Sequence, residues 1–300
     1  MSRRSLVALG LALAAGGAFA LTGCSNTESE SSSGATSTVA VTASKVDEIA
    51  AKLPQNIRDA NKLIIGVNVP YAPNEFKDDS GTIVGFDVDL MKAVSQVLGV
   101  EPVFTEADFD KIIPAIQAGT YNMGMSSFTD TKEREQTVDF TTYFSAGVQW
   151  AQRPDNPVDP TNACGKRVAV QATTVEDTEE VPAKSADCVA AGQPPIEIVK
   201  FDRQDDATTA LVLGNVDAMS ADSPVTAYAI KQSGGKIEPA GEVFDSAPYG
   251  WPVAKGSELA NALQAAVQNL IDDGTYAKIA ENWGVQAGMI TESQINGAVN

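Results

Sequence analysis

The chain has 300 residues, with 39 acidic and 21 basic side chains, a formal net charge of −18 at pH 7, and no histidine. That charge excludes nucleic acid as a partner and argues against a surface that hugs anionic lipid. The lack of imidazole removes histidine-dependent triads, the usual zinc sites and imidazole acid–base work, so no metal or cofactor is expected.

At the N-terminus, Arg3 and Arg4 form a positive region, Leu6 to Leu21 is apolar and small, and Leu21-Thr22-Gly23-Cys24 closes the segment. Such a run is too short and wrongly flanked for a membrane span and reads as a signal peptide, residues 1–23. The closing tetrapeptide resembles a bacterial lipobox, in which the cysteine thiol carries a thioether lipid and becomes the first mature residue. Residues 24–44 are mainly Ser, Thr and Glu, a composition that cannot bury enough apolar surface to fold, so they read as a lipidated flexible tether. The body is thus expected on the outer face of the cell membrane, held through its lipid. Ser2-Arg3-Arg4 leaves general and twin-arginine export both open. With Cys24 lipidated, Cys164 and Cys188 remain in an oxidising compartment, where a disulfide is the natural reading. No other segment is apolar for long enough to span a bilayer.

Beyond an amphipathic lead-in (Val46 to Ala60), strands and helices alternate. Lys62 to Val67 predicts a strand, and Phe86, Leu90, Ala93, Val94, Val97 and Leu98 recur at helical spacing before Gly99. Pro102 to Thr105 is a strand, Phe109 to Gly119 a helix with Pro114 awkwardly inside, and Asn122 to Met125 a strand. A second block repeats the order: strand Arg167 to Val170, helix Thr174 to Ala183, strand Ile196 to Phe201, helix Asp206 to Leu213, strand Val216 to Ser220. Ser223-Pro224 opens a helix with Pro in its first turn. Tyr249 to Ala254 is a strand, and helices Glu258 to Ile271 and Thr275 to Trp283 follow. This alternation predicts an α/β fold of mostly parallel sheets flanked by helices. A Pro/Asp/Asn-rich break at Arg153 to Asn162 divides it into one lobe of residues 45–150 and 248–300 and another of 151–247. Two crossovers between lobes would make a hinge, with a cleft at the carboxyl ends of the strands.

Gly85-Phe86-Asp87-Val88-Asp89-Leu90 resembles the signature of the family 3 extracellular solute-binding proteins, which serve polar amino acid importers. Four further segments resemble that family in its own order: Gly66 to Pro73, Ser126 to Arg134, Val168 to Thr174 and Asp217 to Asp222. The resemblance covers Lys62 to Val285. It implies a two-lobed periplasmic-binding-protein-like fold, capture of an amino acid, and delivery to the permease of an ABC transporter. It departs at Ser95, where a small apolar residue is usual, and at Ala172, where Gly is usual in a segment one residue longer.

By this resemblance Arg134 and Thr129 hold the ligand carboxylate, joined by a backbone N–H near Thr174. Asp222 and Ser127 take the ammonium, Ser126 stands beside them, and Tyr71 and Phe109 flank the side chain. The chemistry fits without the family: a zwitterion entering a closed cleft loses hydration at both ends and needs opposite partners at each. Arg supplies a planar fork and Asp accepts several ammonium protons. Asn68 aligns with a position where binders of cationic amino acids carry Asp. With the second amide of Gln171, it points to glutamine or asparagine, with an acidic ligand second. An enzyme is disfavoured, since Gly124-Met125-Ser126-Ser127-Phe128 lacks the second Gly of a nucleophile elbow and no His serves as base. A lipoprotein that senses the same ligand and reports to a membrane receptor or kinase is the alternative. Replacement Cys24→Ser is expected to release the protein from membranes or leave it unprocessed; fractionation and migration like wild type would refute the lipobox.

Overall fold

A computed structural model describes residues 41–299; the signal segment, Cys24 and most of the tether lie outside them. Two short helices, α1 (Asp47–Ala50) and α2 (Gln55–Ala60), lead into β1 (Lys62–Val67), a hairpin of β2 (Phe76–Lys77) and β3 (Ile83–Val84), and α3 (Phe86–Leu98). Then come β4 (Glu101–Glu106), α4 (Phe109–Gln117), β5 (Met123–Gly124) and the long β6 (Val138–Gln152). The next stretch holds β7 (Arg167–Gln171), α5 (Val181–Ala190), β8 (Glu197–Phe201), α6 (Gln204–Val212), β9 (Ala218–Asp222) and α7 (Ser223–Gln232). The chain returns through β10 (Glu238–Ala254) to α8 (Leu259–Asp272) and α9 (Thr275–Trp283).

Eight strands form a single sheet in the order β4-β1-β5-β10-β6-β9-β7-β8. Its two ends are parallel: β1 pairs with β4 and β5, and β7 with β8 and β9. The centre is antiparallel, because β6 pairs with both β10 and β9. The two halves are therefore joined by hydrogen-bonded ladder as well as by chain connections. One half packs α3, α8 and α9 on its sheet around Phe86, Leu90, Trp251, Leu263 and Ile279. The other packs Trp150, Val168, Val181 and Ile196 on one face and Ala207, Leu211 and Met219 on the opposite face.

Local sequence explains the boundaries that position the cleft. At the start of α3, Gly85 adopts φ +143, and a Cβ there would meet the Asn74 carbonyl oxygen at 2.0 Å, so only glycine fits the approach. Gly99, in the left-handed region at φ 69, ends the same helix.

The structure differs from the sequence reading in three places. The stretch before residue 153 is one strand of 15 residues, β6, which had not been expected, and β10 begins eleven residues before Tyr249, at Glu238. β6 is buried almost throughout because it lies at the sheet centre, so it shows no alternation to mark it. The helix expected at Thr174 to Ala183 instead opens as a π-helical turn, Glu176–Glu180, and continues as α5 to Ala190, tolerating Pro182 in its first turn.

Cys164 and Cys188 form a disulfide across a separation of 24 residues, with Cys188 packed in the core of its half. Replacing both with Ser is expected to lower unfolding stability by about 3 kcal/mol through the freed loop. A urea midpoint equal to that of the wild type would overturn this.

Candidate functional site

The residues expected at the ligand come together. Asn68, Tyr71, Phe109, Ser126, Ser127, Thr129 and Arg134 from one half, and Gln171, Thr174 and Asp222 from the other, line one cavity. Val175 and Glu176 complete its wall. They arrive by the same route: Asn68 follows β1, Ser126 and Ser127 follow β5, Gln171 ends β7 and Asp222 ends β9. This is the carboxyl edge of the parallel strands, where ligands bind in open α/β sheets. The space left between the side chains has room for only about 10 Å³ of water centres, roughly one water molecule.

Side-chain hydrogen bonds cross the cavity from one set of residues to the other. The Tyr71 hydroxyl donates to Asp222 Oδ2 at 2.5 Å, Gln171 Nε2 donates to Asn68 Oδ1 at 2.9 Å, and Arg134 Nη2 donates to the Thr173 carbonyl at 3.0 Å. Arg134 Nη1 donates to the Thr129 carbonyl at 2.8 Å, which fixes the fork at its own side. The guanidinium also lies 5.8 Å from the Phe109 ring centre and 5.7 Å from that of Phe128, whose rings stack at 4.4 Å. Such a face favours a cation on top of it.

Supporting contacts aim these groups. Thr173 is in the left-handed region at φ 65, and its N–H donates to Asp177 Oδ2 at 2.9 Å. Asp177 in turn pairs with Lys200 at 2.7 Å. Asn68 is held by its Nδ2 on the Ala107 carbonyl and by its N–H on Ser126 Oγ. Asp222 stands at the N-terminus of α7 without a side-chain cap bond, so its carboxylate is turned to the cleft rather than to the helix. Thr174 Oγ1 donates to the Gln171 carbonyl, and the Ser127 hydroxyl accepts from Asn74 Nδ2 at 2.9 Å. Those two hydroxyls are engaged within their own half.

Glu176 is the residue that the sequence reading missed. An acid in the first turn of a helix reads as a response to the helix dipole, so nothing in its position marks it. In the structure it is 1 % exposed, and its Oε1 has no hydrogen-bond partner. Burial first, and then the nearby Asp222 charge, raise its pKa to about 8. Burial also raises Asp222 to about 6, against the lowering effects of the Tyr71 hydroxyl and the Arg134 charge. The cavity therefore offers two carboxyls and one guanidinium. Among the described residues no cluster could hold a metal ion.

Residues 63–286 match the family described as bacterial extracellular solute-binding proteins, family 3. The chain is 46% identical over 253 residues to the arginine-binding protein ArgT of Corynebacterium glutamicum, covering 84% of this chain and 83% of that one. Among solved structures, it is similar to an ancestral arginine-binding protein bound to arginine, with TM-score 0.68 and 35% identity over 74% of this chain and 98% of that one. An ancestral arginine-binding protein bound to glutamine gives TM-score 0.67 and 36% identity over 75% and 98% of the two chains.

The raised carboxyl pKa values carry a pH signature. The folded chain holds protons that the unfolded chain releases, so this stability is fully present below the ordinary values of 3.8 for Asp222 and 4.5 for Glu176. It is lost as pH rises through about 6 and about 8. The substitution Glu176→Gln is expected to flatten the fall in Tm of the free protein and to stabilise it by on the order of 3 kcal/mol above pH ~8. Parallel Tm–pH curves for the two proteins would contradict this.

Proposed function

This chain belongs to the bacterial extracellular solute-binding proteins, family 3, and on that premise we propose that its cleft captures a cationic amino acid, arginine first, for delivery to an ABC transporter permease. The observation that carries the choice of side chain is Glu176, buried at the cavity wall with one oxygen unpartnered. The main chain of any α-amino acid brings one negative and one positive group. Arg134 answers the carboxylate and Asp222 the ammonium, which leaves Glu176 without a counter-charge. A guanidinium supplies that charge together with fitting donors, whereas a neutral side chain leaves a buried carboxyl to be neutralised by a proton. The stacked Phe109 and the Tyr71 ring suit the flat, weakly hydrated guanidinium. Arginine in the names of similar proteins agrees with this reading.

It replaces the preference for glutamine or asparagine drawn from Asn68 and Gln171. In the structure those two amides satisfy each other, with Gln171 Nε2 on Asn68 Oδ1. A second reading survives on the same observation: if the pair opens for the ligand, it offers one donor and one acceptor, which matches a glutamine amide.

Capture is read as closure of residues 45–150 with 248–300 against 151–247, about the crossover strands β6 and β10. Binding shifts the population to the closed form only because Arg134, Thr129 and Tyr71 meet Gln171, Thr174 and Asp222 there. The lipid on Cys24 and the tether to residue 44 are read as holding this body at the outer face of the membrane, within reach of the permease.

Calorimetry tests the assignment. Wild type is expected to bind arginine more tightly than glutamine. The replacement Glu176→Gln should weaken arginine by about 3 kcal/mol, or roughly a hundredfold, while leaving glutamine within a few fold. Tighter binding of glutamine by the wild type would move the assignment to the second reading, and loss of both ligands equally would show that Glu176 does not read the side chain.

A further inference from the structure

Behind the cavity wall lies a pair of acids that the capture reading does not use. Glu75 and Asp87 are both 0 % exposed, yet neither takes part in an ion pair among the described residues. The groups that face them are hydroxyls and the Ser127 N–H. Tyr143, on β6, donates to Asp87 Oδ2. Ser126 Oγ lies 3.4 Å from Glu75 Oε1, and Ser127 Oγ lies 3.3 and 3.4 Å from the two Glu75 oxygens. The titratable groups packed around the pair are Tyr71 on the preceding loop, Tyr143 on β6 and Tyr276 on α9, with Tyr249 of β10 beyond Tyr143. None is a cation.

The donors can be counted. The Ser127 oxygen accepts from Asn74 Nδ2, so its own proton is free to point at Glu75. The Ser126 oxygen accepts from the Asn68 N–H, and its proton has Glu75 and the Asn68 carbonyl as acceptors. Asp87 has the Tyr143 proton on Oδ2 and Ser127 beside it, through its N–H and its hydroxyl, while Asp87 Oδ1 is buried without a well-formed hydrogen bond. The Glu75 carboxyl stands within hydrogen-bond reach of Asp87, and two carboxyl oxygens attract only with a proton between them. A second full negative charge here would be uncompensated, since both groups are buried and no cation faces them.

We propose that Glu75 and Asp87 share one proton beneath the cleft and, as positioning residues, hold Ser126 and Ser127 in the shape that the ligand meets. Ser127 needs such a hold, since its backbone is in the left-handed region at φ 51, which a non-glycine residue adopts only at a cost. The neutral half of the pair accepts the two serine protons, while the charged half is satisfied by Tyr143 and the shared proton. Burial and the neighbouring Asp87 charge both push the Glu75 carboxyl well up, in keeping with a proton retained at neutral pH. The direction in pH follows: stability is complete below the ordinary carboxyl range and declines as rising pH draws the proton out. The positioning role rests on the cleft being the capture site; the shared proton does not.

The experiment uses the mature protein and the variants Glu75→Gln and Glu75→Ala. Without ligand, at about pH 9 where Glu176 has released its proton, the infrared difference between wild type and Glu75→Gln is expected to show the loss of one carboxylic-acid C=O band. The Tm of Glu75→Gln should also fall less steeply than that of wild type towards alkaline pH. A difference spectrum with no acid band, or an unchanged Tm–pH profile, overturns the shared proton. With L-arginine as the probe, Glu75→Ala should weaken binding tenfold or more and Glu75→Gln should restore most of it. Equal affinity in all three proteins overturns the positioning role. If wild type itself does not bind arginine, the assignment of arginine fails, while the band and the Tm profile still decide the shared proton.

Discussion

The Arg134 guanidinium reaches the Thr129 carbonyl on its own side and the Thr173 carbonyl on the other, and most of the site follows from having to hold it there. A guanidinium cannot shed its charge in a protein, so a cleft that closes over one must surround it with acceptors and polarisable faces. The stacked Phe109 and Phe128 rings provide the faces. The unusual backbone of Thr173, tied by Asp177 and Lys200, turns a carbonyl towards it. These partners come from both halves, one carbonyl from each. On the proposed reading, charge placement is thereby a reason to close.

Closure of that kind needs a joint that bends without losing register. β6 and β10 provide it as paired antiparallel strands running through the middle of the sheet, with irregularities in their register between Ala240 and Phe244, Phe244 and Ala247, and Tyr249 and Gly250. Such bulges loosen and twist a ladder locally. On either side the strands are fixed by large buried rings, Tyr143 stacked on Trp251 at 4.4 Å in one half and Trp150 in the core of the other. The irregular stretch is thus short and bracketed by large packed rings, and Tyr249, which bridges to Thr129, links it to the edge of the cavity.

Much of this was legible in the sequence, and what was not has physical reasons. β1, α3 and α9 fall where apolar periodicity and glycine stops put them, because each presents one face to a core and the other to water. The site residues were legible as a set only through their resemblance to a family; taken singly, Arg134 reads as a solvated charge. The central strand β6 escaped because residues buried on both faces do not alternate. The first part of β10 escaped because Pro239, Gly241 and several exposed polar residues imitate a loop along an edge that only β6 covers. Glu176 was hidden by a role it could equally have played, that of an acid favoured at a helix start. That one sheet runs through both halves is not expressed in composition, because pairing between crossover strands is a property of their register.

The acids then divide into two kinds, and the difference explains how a chain of net charge −18 can bury so many of them. Asp177, with Lys200 beside it, has its counter-charge within the fold. Glu176 and Asp222 face a cavity, and their raised pKa values mean that the fold has not compensated them in full. An uncompensated carboxyl is a standing cost to the protein alone, and it lessens when a cation arrives. Selectivity on this account is not a matter of adding contacts for the preferred ligand. On the proposed reading, a neutral amino acid of the same length makes the same main-chain bonds through Arg134 and Asp222 but leaves the Glu176 carboxyl protonated or bare. The discrimination therefore depends on the protonation state of that carboxyl. It must be largest where pH exceeds about 8 and must shrink towards the ordinary carboxyl range, where a proton does the work of the cation.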